Sequence, residues 1–207
     1  MVQKSLQFQQ LKFIARKKLV KKVVIGGTFD ILYRGHEALL RRAFSLGETT
    51  IGLTSNKMAE KIKRRKVGNF RSRKKELEKF IKEGLLGKYK IKKIEDKFGP
   101  TLKEDFDYIV VSPETYKTAL LINKKRSKTE LPMEAKVKKR TLYSSPIKKK
   151  PIKIVKIKFV LGENGKPISA TQIIKGKIDK QGKLITESRL RDEGEEECEE
   201  NVSSFVS

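Results

Sequence analysis

Phosphate chemistry asks little of a protein: backbone N–H groups that can be approached closely, a hydroxyl, some cations, and one group that stabilises charge. Residues 23–36 supply most of this in one short stretch. The β-branched run Val23, Val24, Ile25 leads into Gly26 and Gly27, followed by Thr28, Phe29 and Asp30. Gly35 and His36 then open an apolar, basic segment that includes Leu39, Leu40, Arg41, Arg42, Ala43 and Phe44. This is a strand–turn–helix pattern whose turn carries little side-chain bulk, so a phosphate can reach backbone N–H groups and a helix N-terminus. His36 is the only histidine of the chain and stands where that helix starts.

Other chemistries have little to build on. One histidine and one cysteine (Cys198, in an acidic C-terminal stretch) do not make a Ser/His/Asp or Cys/His arrangement. A zinc site wants several His or Cys ligands. A single cysteine forms no intrachain disulfide and gives no sign of an oxidising compartment. What remains are glycines, hydroxyls, lysines and one imidazole. Nucleotidyl transfer needs little else, because the substrate's own phosphate attacks the α-phosphorus of a nucleoside triphosphate in line. The protein then contributes orientation and charge stabilisation.

Charge points the same way. The 207 residues carry 50 Lys+Arg against 25 Asp+Glu, a formal net charge of +25. Such an excess attracts polyanions: a nucleotide, a phosphorylated metabolite, or nucleic acid bound nonspecifically. Hydrophobic residues make up 37%, enough for the core of one α/β domain. No continuous apolar stretch approaches a membrane span, so no membrane partner and a cytoplasmic location are expected.

The elements that must position these residues follow from periodicity and punctuation. Strands are expected at 23–25, 49–54, 88–94, 106–111 and 152–161. Helices are expected at 35–46, stopped by Gly47, from the N-cap Ser55 through Ile62, at 71–86, at 114–125 with proline in its first turn, and at 168–175. Residues 1–20 read as a basic N-terminal extension and 21–185 as the domain. Within it, 126–151 read as an exposed Lys/Arg-rich loop insertion, and 186–207 as an acidic, disordered tail. Alternating strands and helices give an α/β fold, a mostly parallel sheet with helices on both faces, whose ligand lies beyond the carboxyl ends of the strands. Residues 26–30, 112–115 and 168–171 are therefore expected to meet at one crevice.

Gly26-Gly27-Thr28-Phe29-Asp30 followed by Gly35-His36 resembles the nucleotidylyltransferase superfamily, marked by a G-T-F-D strand end and an H/T-x-G-H motif. Gly52-Leu53-Thr54-Ser55 with Met58-Ala59, the segment Val110-Val111-Ser112-Pro113-Glu114-Thr115, and Pro167-Ile168-Ser169-Ala170-Thr171 are similar to the archaeal phosphopantetheine adenylyltransferases. The similarity covers roughly residues 21–185, leaving the stretch around 136–151 unmatched. It implies a Rossmann-like parallel sheet of the nucleotidylyltransferase type. It also implies an enzyme of coenzyme A biosynthesis: ATP and 4′-phosphopantetheine give dephospho-coenzyme A and pyrophosphate, with Mg²⁺ accompanying ATP and no protein metal site.

The resemblance also assigns roles. His36 and Thr28 are the catalytic candidates, His36 at the triphosphate and Thr28 between the attacking phosphate and the α-phosphate. Gly26, Gly27, Phe29, Gly35, Ser169, Ala170 and Thr171 join them as ATP-binding residues. Lys61 and Glu114 join Thr28 on the acceptor, with Lys63 and Lys66 as alternatives to Lys61. Asp30 reads as a structural cap. The chain departs from the family pattern at Tyr33, where a threonine or histidine is expected, at Ala170, which breaks a serine pair, and at Ile174, where a basic residue is expected. No Walker A sequence is present, so no fused kinase is expected. The rival readings are another superfamily activity (cytidylyl transfer, or adenylyl transfer to nicotinamide mononucleotide or flavin mononucleotide), or a basic nucleic-acid-binding protein on a retired enzyme scaffold. Nucleic acid is the less favoured partner, since no aromatic-plus-basic RNA-binding strand motif is present.

Overall fold

β-Branched and apolar runs that alternate with amphipathic helices produce a five-stranded sheet in the order β3-β2-β1-β4-β5, with every pairing parallel. The coordinates are a computed structural model that describes residues 20–128 and 149–185. The strands are β1 (Lys22–Gly27), β2 (Glu48–Thr54), β3 (Tyr89–Ile94), β4 (Tyr108–Val111) and β5 (Lys153–Lys156). The helices are α1 (Arg34–Leu46), α2 (Asn56–Lys63), α3 (Phe70–Gly84), α4 (Tyr116–Arg126) and the short α5 (Ala170–Ile174), with a 3₁₀ turn at Gly99–Leu102. The expected N-terminal extension up to residue 19, the middle of the basic insertion (129–148) and the acidic tail lie outside the described residues.

The period-2 alternation of a strand sorts β1 between two cores. Val23 and Ile25 join Ile51, Leu53 and Val110 beneath α1 (Leu39, Leu40, Ala43) and α3 (Leu77, Ile81). Val24 joins Ile109 and Val111 beneath α4 (Ala119, Ile122), with Phe106 and Ile152. Burial on both faces is what a parallel sheet requires. The strand order reverses between β1 and β4, which opens a crevice beyond their carboxyl ends.

Several boundaries differ from expectation, each for a local reason. The helix expected from 114 starts at Tyr116, because residues 112–115 close a turn of their own, Thr115 N–H donating to the Ser112 carbonyl at 3.1 Å. Pro113 therefore precedes the helix. The strand expected to run to 161 ends at Lys156: β4 stops at Val111, whose carbonyl takes the Ile157 N–H at 3.0 Å, and no ladder partner follows. The helix 168–175 contracts to Ala170–Ile174 with Ser169 as its N-cap. At the ends of the basic insertion Ser127, Lys128, Lys150 and Pro151 are exposed as expected, but two of its basic side chains turn inward. Arg126 is 1% and Lys149 9% exposed. Arg126 donates to the carbonyls of Lys150, Thr101 and Glu104 and to Asp105, while Lys149 Nζ donates to the Leu102 and Lys103 carbonyls at 2.7 and 2.8 Å.

Candidate active site

The crevice has a volume of about 330 Å³, within the range of small-molecule sites. Its floor is the end of β1 and the turn that follows: Gly26, Gly27, Thr28 and Phe29. Phe29 adopts φ 47°, a left-handed conformation that costs a non-glycine residue roughly 1–2 kcal/mol. The twist turns its ring inward, where it is 1% exposed. Gly27 makes room for this ring, since a Cβ there would lie 2.8 Å from it. Phe29 thus offers a ligand its backbone, while its ring supports His36 at a centroid distance of 5.0 Å.

His36 lies in the first turn of α1, with Phe29 on one side and Tyr33 at 4.1 Å on the other. Its Nδ1 is buried and has no hydrogen-bond partner among the described residues. Burial first, and then the positive charge of Lys63, push its pKa from 6.5 down to about 4, partly opposed by the backbone of Ile31. At neutral pH the ring is therefore uncharged and acts as a hydrogen-bonding group. Tyr33 is the N-cap residue of α1 and also lines the crevice. Burial, and then the charge of Glu114, raise its pKa above 10.0, so its hydroxyl stays protonated.

The turn is held from below. Asp30 accepts the Gly68 N–H at 2.8 Å and pairs with Arg65 at 2.7 Å, a structural duty that ties the β1–α1 turn to the α2–α3 loop. Arg73 on α3 is 2% exposed and donates to the carbonyls of Gly68, Thr28 and Thr54 at 2.7, 2.7 and 2.8 Å. Burial lowers its pKa, against the charge of Asp30.

Residues from the other strand ends complete the walls. Ser112, Pro113, Glu114 and Thr115 follow β4, and Ile157, Phe159, Val160 and Ile168 come from the segment after β5. Of the expected ATP-binding residues, Gly26, Gly27, Thr28, Phe29, Gly35 and His36 share the crevice with the acceptor candidate Glu114. Ser169, Ala170 and Thr171 lie just past its lining: Ser169 caps α5, its Oγ accepting the Gln172 N–H at 3.4 Å, and Ala170 is 7% exposed in the core. Lys61 faces a neighbouring hollow with Lys57, Arg71 and Lys93, whereas Lys63 is the lysine of α2 that lines the crevice.

Sequence reasoning passed over Arg73 and Phe159. Arg73 sits one turn before Leu77 on the stripe that continues to Ile81, and a charge on an apolar stripe was the available signal. Phe159 is 44% exposed at the crevice, in a segment that periodicity assigned to a strand.

A glycine-bearing β1 turn, an imidazole at the following helix start and a switch point beside it define a nucleotidyltransferase-type site. The cytidylyltransferase-like family model matches residues 24–176. A phosphopantetheine adenylyltransferase of Methanosarcina acetivorans is 41% identical over 173 residues, covering 81% of this chain and 98% of that protein. Its counterpart in Archaeoglobus fulgidus is 39% identical over 166 residues, covering 79% and 99%. A crystal structure of a protein of unknown function from Archaeoglobus fulgidus superposes with a TM-score of 0.53 at 37% identity, covering 66% of this chain and 88% of that one. The chain belongs to the phosphopantetheine adenylyltransferase family.

Proposed function

We propose that this protein transfers AMP from ATP to 4′-phosphopantetheine, giving dephospho-coenzyme A and pyrophosphate. The observation that carries the reading is the convergence of the Gly26–Phe29 turn, His36 and Lys63 in one crevice beyond β1 and β4, in a chain whose full-length relatives bear that name. An oxygen of the acceptor phosphate bonds to the α-phosphorus as the bond to the α–β bridging oxygen breaks, and pyrophosphate leaves. Catalysis is then positioning plus electrostatics.

In this scheme backbone N–H groups of the turn and the start of α1 meet the triphosphate, and the neutral His36 ring hydrogen-bonds oxygens at the reacting phosphorus. The Lys63 ammonium offsets charge as the phosphates crowd together. Mg²⁺, arriving with the triphosphate, would offset part of its charge. Glu114 is the carboxylate at the crevice, and no group of three or more potential metal ligands occurs among the described residues. Such an ion would keep several of its waters and bind mainly through substrate phosphates. The flank with Ile62, Ile94 and Phe98 suits the uncharged arm of the acceptor, and the flank with Phe159 suits a purine face.

The test is direct: purified protein with Mg-ATP and 4′-phosphopantetheine, followed for pyrophosphate and dephospho-coenzyme A. Stoichiometric formation of both is expected. Folded protein that forms neither, yet binds RNA or DNA with steep salt dependence, would instead support the nucleic-acid reading.

A further inference from the structure

Beneath the phosphate end of the crevice lies a cation that makes no direct ion pair among the described residues. The Arg73 guanidinium spends its donors on neutral oxygens: Nε on the Gly68 carbonyl, Nη1 on the Thr28 carbonyl and Thr54 Oγ1, Nη2 on the Thr54 carbonyl and Asn56 Oδ1. A buried arginine ordinarily takes a carboxylate. Arg73 forms no ion pair among the described residues, and the nearby Asp30 is engaged by Arg65 and the Gly68 N–H. Its planar fork reaches three backbone segments at once, which the single ammonium of a lysine does not reproduce.

The bond to Thr28 has a stereochemical effect. In a trans peptide the C=O and the next N–H point in opposite directions. Drawing the Thr28 carbonyl down onto Arg73 turns the Phe29 N–H up and away from it. That N–H has no acceptor among the described residues, and both Thr28 and Phe29 line the crevice.

We infer that Arg73 is the positioning residue of the phosphate end: it fixes the Thr28–Phe29 amide with its N–H toward a bound triphosphate, and its charge, bonded to no carboxylate, attracts that triphosphate from below. The inference rests on the adenylyl-transfer reading and adds to it a residue that touches neither substrate.

The decisive variant is Asn56→Asp, which keeps an acceptor at the position now 3.3 Å from Nη2 and puts a carboxylate in direct contact with the guanidinium. Arg73→Lys tests the fork. Wild type and variants, as full chains, are compared for thermal midpoint, affinity for pyrophosphate and for adenosine, and turnover. Asn56→Asp is expected to melt at or above wild type while losing on the order of tenfold in pyrophosphate affinity, with adenosine affinity unchanged. Arg73→Lys is expected to lose at least about tenfold in kcat with adenosine affinity within twofold. Should Arg73→Lys fail to fold, Asn56→Asp decides alone. Pyrophosphate affinity within twofold of wild type in Asn56→Asp, or equal loss of pyrophosphate and adenosine, overturns the inference and leaves Arg73 a packing residue. Wild type that neither turns over nor binds pyrophosphate fails the parent reading first, and the inference with it.

Discussion

Because the native His36 ring is held neutral down to about pH 4 while an unfolded imidazole protonates at 6.5, acid should weaken the fold through this one group. The sign follows from proton counting. Between these values the unfolded chain binds a proton that the folded chain does not, so stability rises with pH across the window. It is fully present above 6.5 and is lost as pH falls toward 4. Each unit is worth about 1.4 kcal/mol, so the loss is about 2 kcal/mol by pH 5 and about 3 kcal/mol near pH 4. For a domain of this size, 2 kcal/mol moves the melting midpoint by roughly 4–8 °C. Asp107, whose carboxylate is held below 3.8 first by the Lys22 N–H, contributes stability that is lost only under stronger acid, outside this window. The assay is thermal or urea unfolding of wild type and His36→Asn at pH 7 and pH 5. The variant should lose about 2 kcal/mol less than wild type between the two. Identical losses would show that the folded imidazole protonates as freely as an unfolded one, and the account of a desolvated, neutral ring would fall.

Three further outcomes follow from the same geometry. His36→Ala should lower kcat by about 10²–10³, the cost of deleting one transition-state donor; an effect within twofold in a pyrophosphate-release assay would remove its role. Gly35→Ala places a Cβ 2.6 Å from Tyr33 Cε2 and should push that ring off His36. Helix propensity should raise the melting midpoint slightly while turnover drops at least about fivefold, so unchanged turnover refutes the packing argument. Arg126→Met strips the carbonyls of Thr101, Glu104 and Lys150 of their buried donor and should cost roughly 3 kcal/mol or more in urea unfolding, whereas a loss below about 1 kcal/mol would mean water reaches those groups.

The sheet, its strand sequence and the β1 turn were legible because they rest on local signals: β-branched runs, the glycine pair, the Ser55 cap and the Gly47 stop. Ser55 does cap α2, its Oγ accepting the Met58 N–H at 3.3 Å, and Gly47 does end α1 at φ 155°. What escaped is set by tertiary contact. Helical spacing puts Lys61 and Lys63, two residues apart, on opposite sides of α2, but nothing local says which of those sides meets the crevice. Nor does composition reveal that Arg126 and Lys149, in a stretch that reads as solvated charge, turn inward to cap carbonyls. The end of β5 was misjudged because alternation continued past residue 156, while the partner strand did not.

The anchoring of Arg126 to the Lys150 carbonyl, at 2.9 Å, holds the two banks of the intervening stretch together irrespective of what spans them. Closing a chain between fixed points costs only about 0.6 kcal/mol for each doubling of its length. Replacement of residues 129–148 by a brief glycine–serine bridge, or by a reporter domain, is therefore a graft the architecture should tolerate, which makes this position a natural attachment port for engineering.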